Sequence, residues 1–267
     1  MGPRSAALIT ELYERNQPYF TLQHVIEITK LEHRTASNLV GALVRRGLVT
    51  RLSYGRYRLV PFELGKQKEY MGNPYLVARE LAAGREYYIS HSSAMDIHQM
   101  VTQPQLVVYV TCLTQIQPKT VLGVEFRFVT CQKKHFFGIS ENWVTKTDKV
   151  FLSDMEKTIL DGLKQPQYCG GITEVAKGFW IQRAKMNVAR LVDYALRLNV
   201  GAVIRRLGFL LETSGIEAPT EIGRLREKIT SAYHLLDPVL PAEGKFVAKW
   251  RLRLNVSPEE FVAMRSR

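Results

Sequence analysis

The chain has 267 residues, is 46% apolar and 23% charged, and carries a formal net charge of +12. The length favours about two domains, and this apolar content excludes a disordered chain. No apolar run approaches the roughly 20 residues a membrane helix needs, and Met1-Gly2-Pro3-Arg4-Ser5 lacks the apolar core of a secretory leader; a cytoplasmic location is therefore expected.

Three cysteines, Cys112, Cys131 and Cys169, form no CxxC pair. Their odd number and spacing argue against a disulfide framework and a zinc site, and no cofactor is expected. Residues 1–70 hold 11 basic and 6 acidic residues, and the remainder holds 26 and 19. Polyanions are the default partners of such a surface, although a basic balance can also serve solubility alone.

The first predicted helix runs from Pro3 to Asn16, with Leu8, Ile9, Leu12 and Tyr13 as its inward stripe. Pro3 suits a first helical turn and Pro18 ends the segment. Thr21 is the predicted N-cap of a second helix, Leu22–Thr29. A third helix spans His33–Arg46. Ala36, Leu39, Val40, Leu43 and Val44 point inward, while Arg34, Ser37, Asn38, Gly41 and Arg45 share the opposite face. Gly41 costs about 1 kcal/mol relative to Ala in mid-helix. Close approach of DNA or close packing against the first helix would each explain it. Gly47 then terminates the helix.

Leu48–Leu52 and Arg56–Val60 read as two strands around the turn Ser53-Tyr54-Gly55. Alternation sets Arg56 and Arg58 opposite Tyr57 and Leu59. From Lys30 to Val60 there are seven Lys/Arg (Lys30, Arg34, Arg45, Arg46, Arg51, Arg56, Arg58) and one acid, Glu32. Helices, hairpin and charge together predict a winged helix-turn-helix over residues 1–62 that binds double-stranded DNA. Arg34, Ser37 and Asn38 suit base edges; Arg45, Arg46, Arg51, Arg56 and Arg58 suit the backbone and minor groove. A plain α+β scaffold with a solvated basic hairpin is the alternative.

Residues 63–73, with Gly65, Lys66, Lys68, Gly72 and Asn73, read as a linker to a larger, mixed and mainly helical domain over 74–267, with a small sheet and room for a helical subdomain from about 183. The fold class is thus α+β. Helices are predicted over Tyr75–Ala83 and Ser92–Gln99, and strands over Leu106–Thr111 and Val121–Thr130. Ser153-Asp154-Met155-Glu156 and Ser257-Pro258-Glu259-Glu260 read as capping boxes. Gly170-Gly171 leads into a helix through Trp180, and further helices are expected at about 183–198, 200–213 and 219–232.

Chemistry is harder to find. His91, Ser92, Ser93 and Asp96 have the residue types of a hydrolase triad, but no G-x-S-x-G elbow is present, and a capped helix start accounts for them. His91, His98 and Asp96 lack metal-ligand spacing, and Gly170-Gly171 lacks a phosphate-loop pattern. Asp154, Glu156 and Asp161 near one helix start are accounted for by the helix dipole. Lys133-Lys134-His135-Phe136-Phe137 mixes basic and aromatic residues as nucleic-acid contacts do; a strand-end turn with a buried aromatic pair is the plainer account. Enzymatic activity is not expected.

Three segments resemble a known family together: Ser90-His91-Ser92-Ser93-Ala94 before a helix; Ser153-Asp154-Met155-Glu156-Lys157-Thr158-Ile159-Leu160-Asp161, similar to an SD-x-E-[KR]-T-[IL]-[LV]-D signature; and Tyr168-Cys169-Gly170-Gly171-Ile172-Thr173-Glu174-Val175. In this order, behind a winged helix, they resemble the AbiEi family of type IV antitoxins, which are also transcriptional regulators. The resemblance implies binding to inverted repeats in the chain's own promoter. It implies a C-terminal antitoxin domain with His91, Ser153, Asp154, Lys157, Asp161, Gly170 and Gly171 as motif residues. It further implies a nucleotidyltransferase-like toxin as functional partner without a necessary stable complex, and a bacterial abortive-infection setting. The family's DNA contacts fall here on Arg34, Ser37, Asn38, Arg45, Arg51, Arg56 and Arg58. A stand-alone regulator, a nucleic-acid-acting enzyme using the Asp154–Asp161 acids, and a protein-binding module are the alternatives.

Overall fold

The computed structural model describes residues 2–65, 69–101 and 106–257. It is a mixed α+β chain in two compact units: Met1–Arg85 with Pro118–Phe126, and Glu86–Gln117 with Arg127–Arg267. The first unit therefore includes residues 63–73 and the helix that follows them. Among the described residues no helix is long and apolar enough to cross a membrane.

The first unit runs α1 (Pro3–Glu14), β1 (Tyr19–Thr21), α2 (Leu22–Thr29), α3 (His33–Arg45), β2 (Val49–Ser53), β3 (Arg56–Leu59) and α4 (Pro74–Ala82). The Thr21 side chain accepts from the His24 amide at 3.3 Å, and His24 Nδ1 accepts from the Thr21 amide at 3.2 Å. This reciprocal cap starts α2 at the predicted residue, with His24 replacing the usual Glu or Gln. α1 stops two residues before the predicted Asn16, which adopts a left-handed φ of 48°. The strands form an antiparallel sheet in the order β1-β3-β2, in which Phe20 pairs with Tyr57 and Arg51 with Tyr57. The core gathers Leu8, Leu12, Phe20, Val25, Val40 and Leu43, so the inward stripes read from periodicity meet, except for Tyr13, which is exposed and stacks on Phe62.

The second unit runs β4 (Tyr87–Ile89), α5 (His91–Ile97), β5 (Val107–Cys112), β6 (Lys119–Val121) and β7 (Val124–Thr130), the β6 hairpin and the start of β7 being the part counted with the first unit. It continues through β8 (Ile139–Trp143), β9 (Lys149–Ser153), α6 (Met155–Lys164), α7 (Ile172–Gln182), α8 (Val188–Leu198), α9 (Gly201–Thr213), α10 (Pro219–Arg226), β10 (His234–Leu235), β11 (Lys245–Val247) and β12 (Leu252–Leu254). The larger sheet has the order β6-β7-β5-β4-β9-β8, with β4 and β9 parallel. β10-β12-β11 make a second sheet. Both exceed the single small sheet predicted, because most of these strands have only two to five residues and too little alternation to register as strands. The predicted helix at 219–232 ends at Arg226, and the predicted start near 183 is a short 3-10 turn before α8. The second predicted capping box and the linker residues Lys66 and Lys68 lie outside the described residues, apart from Ser257.

α6 is the centre of this unit. Residues Glu156 to Leu163 are all buried, polar ones included. Gly162 lets α7 approach: a Cβ there would stand 2.8 Å from Val175 Cγ2. Ile159, Leu160, Leu163, Val175, Phe179 and Leu207 share one hydrophobic core.

Candidate nucleic-acid interface

α3 and its C-cap expose Arg34, Ser37, Asn38, Arg45 and Arg46, while Ala36, Val40 and Leu43 are buried. Among the described residues none of these three arginines meets a carboxylate, so their positive field is uncompensated. Between this face and the hairpin lies a groove of about 410 Å³, lined by Ser37, Gly41, Arg45, Arg51, Tyr54 and Gly55 among others. Tyr54 is 85% exposed at the hairpin tip, with the Arg51 guanidinium 5.8 Å from its ring centroid. Gly55, at φ 69°, makes the turn.

Gly41 faces this groove. A Cβ built there meets only Arg45 Nη1, at 3.6 Å. Packing against the first helix therefore does not explain the glycine.

The hairpin arginines separate. Arg51 pairs in register with Tyr57 on the α3 side, whereas Arg58 pairs with Thr50 on the other face. Arg58 is held between two rings, 4.4 Å from the Tyr19 centroid and 4.7 Å from that of Tyr70. Arg56 Nη1 meets Glu80 Oε2 at 3.4 Å. The Tyr70 amide donates to Thr50 Oγ1 (2.9 Å), and the Tyr19 hydroxyl donates to the Met71 carbonyl (3.3 Å). The sheet face carrying Arg56 and Arg58 is thus covered by the segment after the hairpin. Alternation placed these two side chains on one face; it could not show what covers that face.

The motif residues of the second unit behave differently. Asp154, not Ser153, caps α6: its Oδ1 accepts from the Lys157 amide at 2.8 Å and its Oδ2 from the Tyr194 hydroxyl at 3.0 Å. Burial pushes this carboxyl above its usual range. Ser153 ends β9, and its hydroxyl lies 3.3 Å from the Ile89 carbonyl and 2.8 Å from Thr158 Oγ1. Glu156 is fully buried; it accepts from the Asn187 amide (2.9 Å) and from Arg190 Nη2 (2.7 Å), tying α6 to the start of α8. The predicted Ser153–Glu156 capping box is therefore absent, because tertiary partners outbid the local amides. The helix dipole favours Asp154 at the cap and Glu156 in the first turn, but not Asp161 further along α6.

Lys157 and Asp161 form a buried ion pair one turn apart. Lys157 Nζ also donates to the Tyr88 hydroxyl (3.1 Å), which donates to Asp161 Oδ2 (3.0 Å). Tyr88 is pushed well above its usual range, by burial first and the Asp161 charge second. Asp154, Glu156 and Asp161 thus each turn to different partners. Gly170 and Gly171 take φ of 83° and 101°, and Asp237 Oδ2 accepts from the Ile172 amide at 2.8 Å, capping α7 from a distant segment.

His91 has a left-handed φ of 52° and is buried. Its Nδ1 lies 2.9 Å from Ser90 Oγ, which accepts from Thr111 Oγ1 at 2.8 Å; Ser90 is the N-cap residue of α5 and makes no side-chain cap, so the capped helix start expected around His91 is not formed by a side chain. Burial lowers the His91 pKa to about 4. His98 Nε2 meets the Ser153 carbonyl at 2.7 Å, and among the described residues no three His, Cys, Asp or Glu groups converge as a metal would need. Lys133, Lys134 and His135 form a short 3-10 turn, and of the expected buried aromatic pair Phe137 is buried while Phe136 is half-buried, edge-on to Tyr88.

The fold is similar to that of a solved structure. The crystal structure of the Rv2827c protein from Mycobacterium tuberculosis matches with a TM-score of 0.73 at 13% identity, over 100% of this chain and 96% of that one. At that identity the likeness concerns the fold alone. No family model and no curated protein matches the sequence.

Tyr88, Arg190, Tyr194 and Asp237, which complete the motif network, were not singled out from the sequence. They lie tens of residues from their partners, and nothing local marks them. Tyr54 carried a signal: a large aromatic residue at a hairpin tip next to glycine.

Proposed function

We propose that this chain is a repressor that binds double-stranded DNA through an N-terminal winged helix-turn-helix, and that it is the antitoxin of a type IV toxin–antitoxin pair. In this reading α2 and α3 are the helix pair and β2–β3 the wing. The observation that carries it is the exposed, unneutralised face of Arg34, Ser37, Asn38, Arg45 and Arg46 beside Arg51 and Tyr54. Arg34, Ser37 and Asn38 reach base edges in the major groove; Arg45, Arg46 and Arg51 hold phosphates. Arg56 and Arg58 brace the wing from behind.

The AbiEi-like motif order supports the rest: binding to inverted repeats in the chain's own promoter, and opposition to a nucleotidyltransferase-like toxin without a stable complex. His91, Ser153, Asp154, Lys157, Asp161, Gly170 and Gly171 then act as the frame that shapes the antitoxin domain. A gel shift on the chain's own upstream region tests the DNA reading. Arg34→Ala with Arg45→Ala is expected to weaken binding at least tenfold and to lower the salt slope by about one, from the lost Arg45 phosphate contact. Unchanged affinity at fixed salt removes these side chains from the interface. Co-expression with the neighbouring toxin, scored as growth, tests the antitoxin half.

A further inference from the structure

The small sheet near the end of the described chain displays aromatic rings rather than burying them. Phe246 on β11 lies opposite Arg253 on β12, and β10 runs parallel along the other edge of β12. Arg251, which precedes β12 with a left-handed φ of 47°, and Arg253 on β12 are brought to one face by the rings they meet. Their guanidinium groups lie 5.3 Å from the Tyr233 centroid and 5.2 Å from the Phe246 centroid. The two rings meet edge to face at 5.0 Å. Arg251 Nη1 also donates to the Tyr233 hydroxyl at 3.2 Å, and Arg253 Nε to the Gly244 carbonyl at 3.4 Å. The alternate residue, Leu252, is buried in the core with Trp250.

Phe246 is 60% exposed and Tyr233 39% exposed. Beside them lies a cleft of about 420 Å³ lined by Arg226, Thr230, Ser231, Lys249 and Arg251 among others. Residues 224–253 contain seven basic residues (Arg224, Arg226, Lys228, Lys245, Lys249, Arg251, Arg253) against three acids. Of those acids Asp237 is buried, capping α7. Glu227 and Glu243 are exposed, and Glu212, outside this stretch, is taken up by Arg226, Lys249 and Trp250 Nε1, each at 2.8 Å.

We propose that this face binds single-stranded nucleic acid, with Tyr233 and Phe246 stacking on unpaired bases and Arg251, Arg253, Lys249 and Arg226 holding the phosphates. An exposed aromatic pair set among arginines is the chemistry of a stacking platform. A duplex hides its base faces in its own stack and can meet only the cations. The site lies in the second unit and goes beyond the double-stranded reading of α3.

The test is fluorescence anisotropy of the full chain with labelled 12-residue single-stranded RNA, single-stranded DNA and the matching duplex, at one salt concentration. Tyr233→Ala and Phe246→Ala are each expected to lower single-strand affinity about tenfold, with RNA and DNA arms deciding which strand is preferred. Phe246→Tyr retains binding, and Arg34→Ala with Arg45→Ala leaves it unchanged while weakening duplex binding. Should an alanine variant lose its circular dichroism spectrum, Arg251→Glu with Arg253→Glu repeats the test by charge reversal. The proposal is overturned if the native chain does not bind single strands, if both ring variants bind as the native chain does, or if the loss follows Arg34 and Arg45. Ring-dependent binding of poly-glutamate in place of either strand also overturns it and makes the face an acidic-protein site.

Discussion

The α3–hairpin surface and the α6 network were marked by equally dense polar sequence signals, yet the fold treats them in opposite ways. On α3 the polar side chains are exposed, and among the described residues no carboxylate meets their arginines. On α6 the polar side chains are buried and tied to one another across β4, β9 and α8. A charge left in water costs little and remains available to a partner. A charge taken out of water persists only where another charge and hydrogen bonds receive it. A polar motif is thus a contact surface in the first case and a tie between elements in the second.

The largest effect belongs to the buried pair. Lys157→Met leaves Asp161 and Tyr88 facing each other without the ammonium group, and is expected to cost about 3–5 kcal/mol in urea unfolding. Lys157→Met with Asp161→Leu is expected to recover much of that loss, since it removes both charges. A loss below about 1 kcal/mol for the single variant would show that water reaches the pair and would break the comparison.

His91 comes next. Its folded pKa of about 4 lies below its ordinary 6.5. Between those values the unfolded chain takes up a proton that the folded site refuses, so stability is full above pH 6.5 and falls as the pH drops toward 4. A shift of this size corresponds to about 3 kcal/mol. His98, His135 and His234 are also shifted down, chiefly by burial, and act in the same sense. The informative quantity is therefore the difference from His91→Asn, whose side chain tolerates the left-handed backbone. This variant is expected to lose less stability between pH 7 and pH 5. Parallel curves for the two proteins would clear His91 of the effect.

Arg34 and Arg58 carry the comparison inside the first unit. Arg34→Ala should cost DNA affinity, about 1–3 kcal/mol if the contact is to a base, and little stability. Arg58→Ala should do the reverse, costing about 1 kcal/mol of stability through the lost Tyr19 and Tyr70 stacking and leaving the salt slope of binding unchanged. A reduced salt slope for Arg58→Ala would place it back among the phosphate contacts. The smallest effect is that of Gly41→Ala. The new methyl group finds room, so stability is expected to rise by about 1 kcal/mol while operator affinity falls, because the methyl group fills the groove floor. Gains in both would mean that nothing approaches α3 at that turn.

Much of the first unit was legible because its elements carry their own signals. Thr21 begins α2, Gly47 follows α3, and Ala36, Val40 and Leu43 recur at helical spacing. The second unit was legible mainly in its longer helices. Its strands β4, β10, β11 and β12 have two or three residues each. Their partners, not their periodicity, make them strands. Ser153 and Glu156 had the spacing of a capping box, and the fold gave the cap to Asp154, because Ile89, Thr158 and Arg190 offered better partners to the other two.

The sequence by itself determined the α+β class, the helices with a full apolar stripe and the concentration of charge between Lys30 and Val60. These follow from propensity, periodicity and composition, which act over a few residues. The tertiary structure alone decided that Arg51 faces α3 while Arg58 lies between Tyr19 and Tyr70, that Lys157 and Asp161 leave water together, and that Tyr233 and Phe246 share a face with Arg251 and Arg253. Each of these depends on chain segments distant in sequence arriving at one place, and burial energies are settled only once they have arrived.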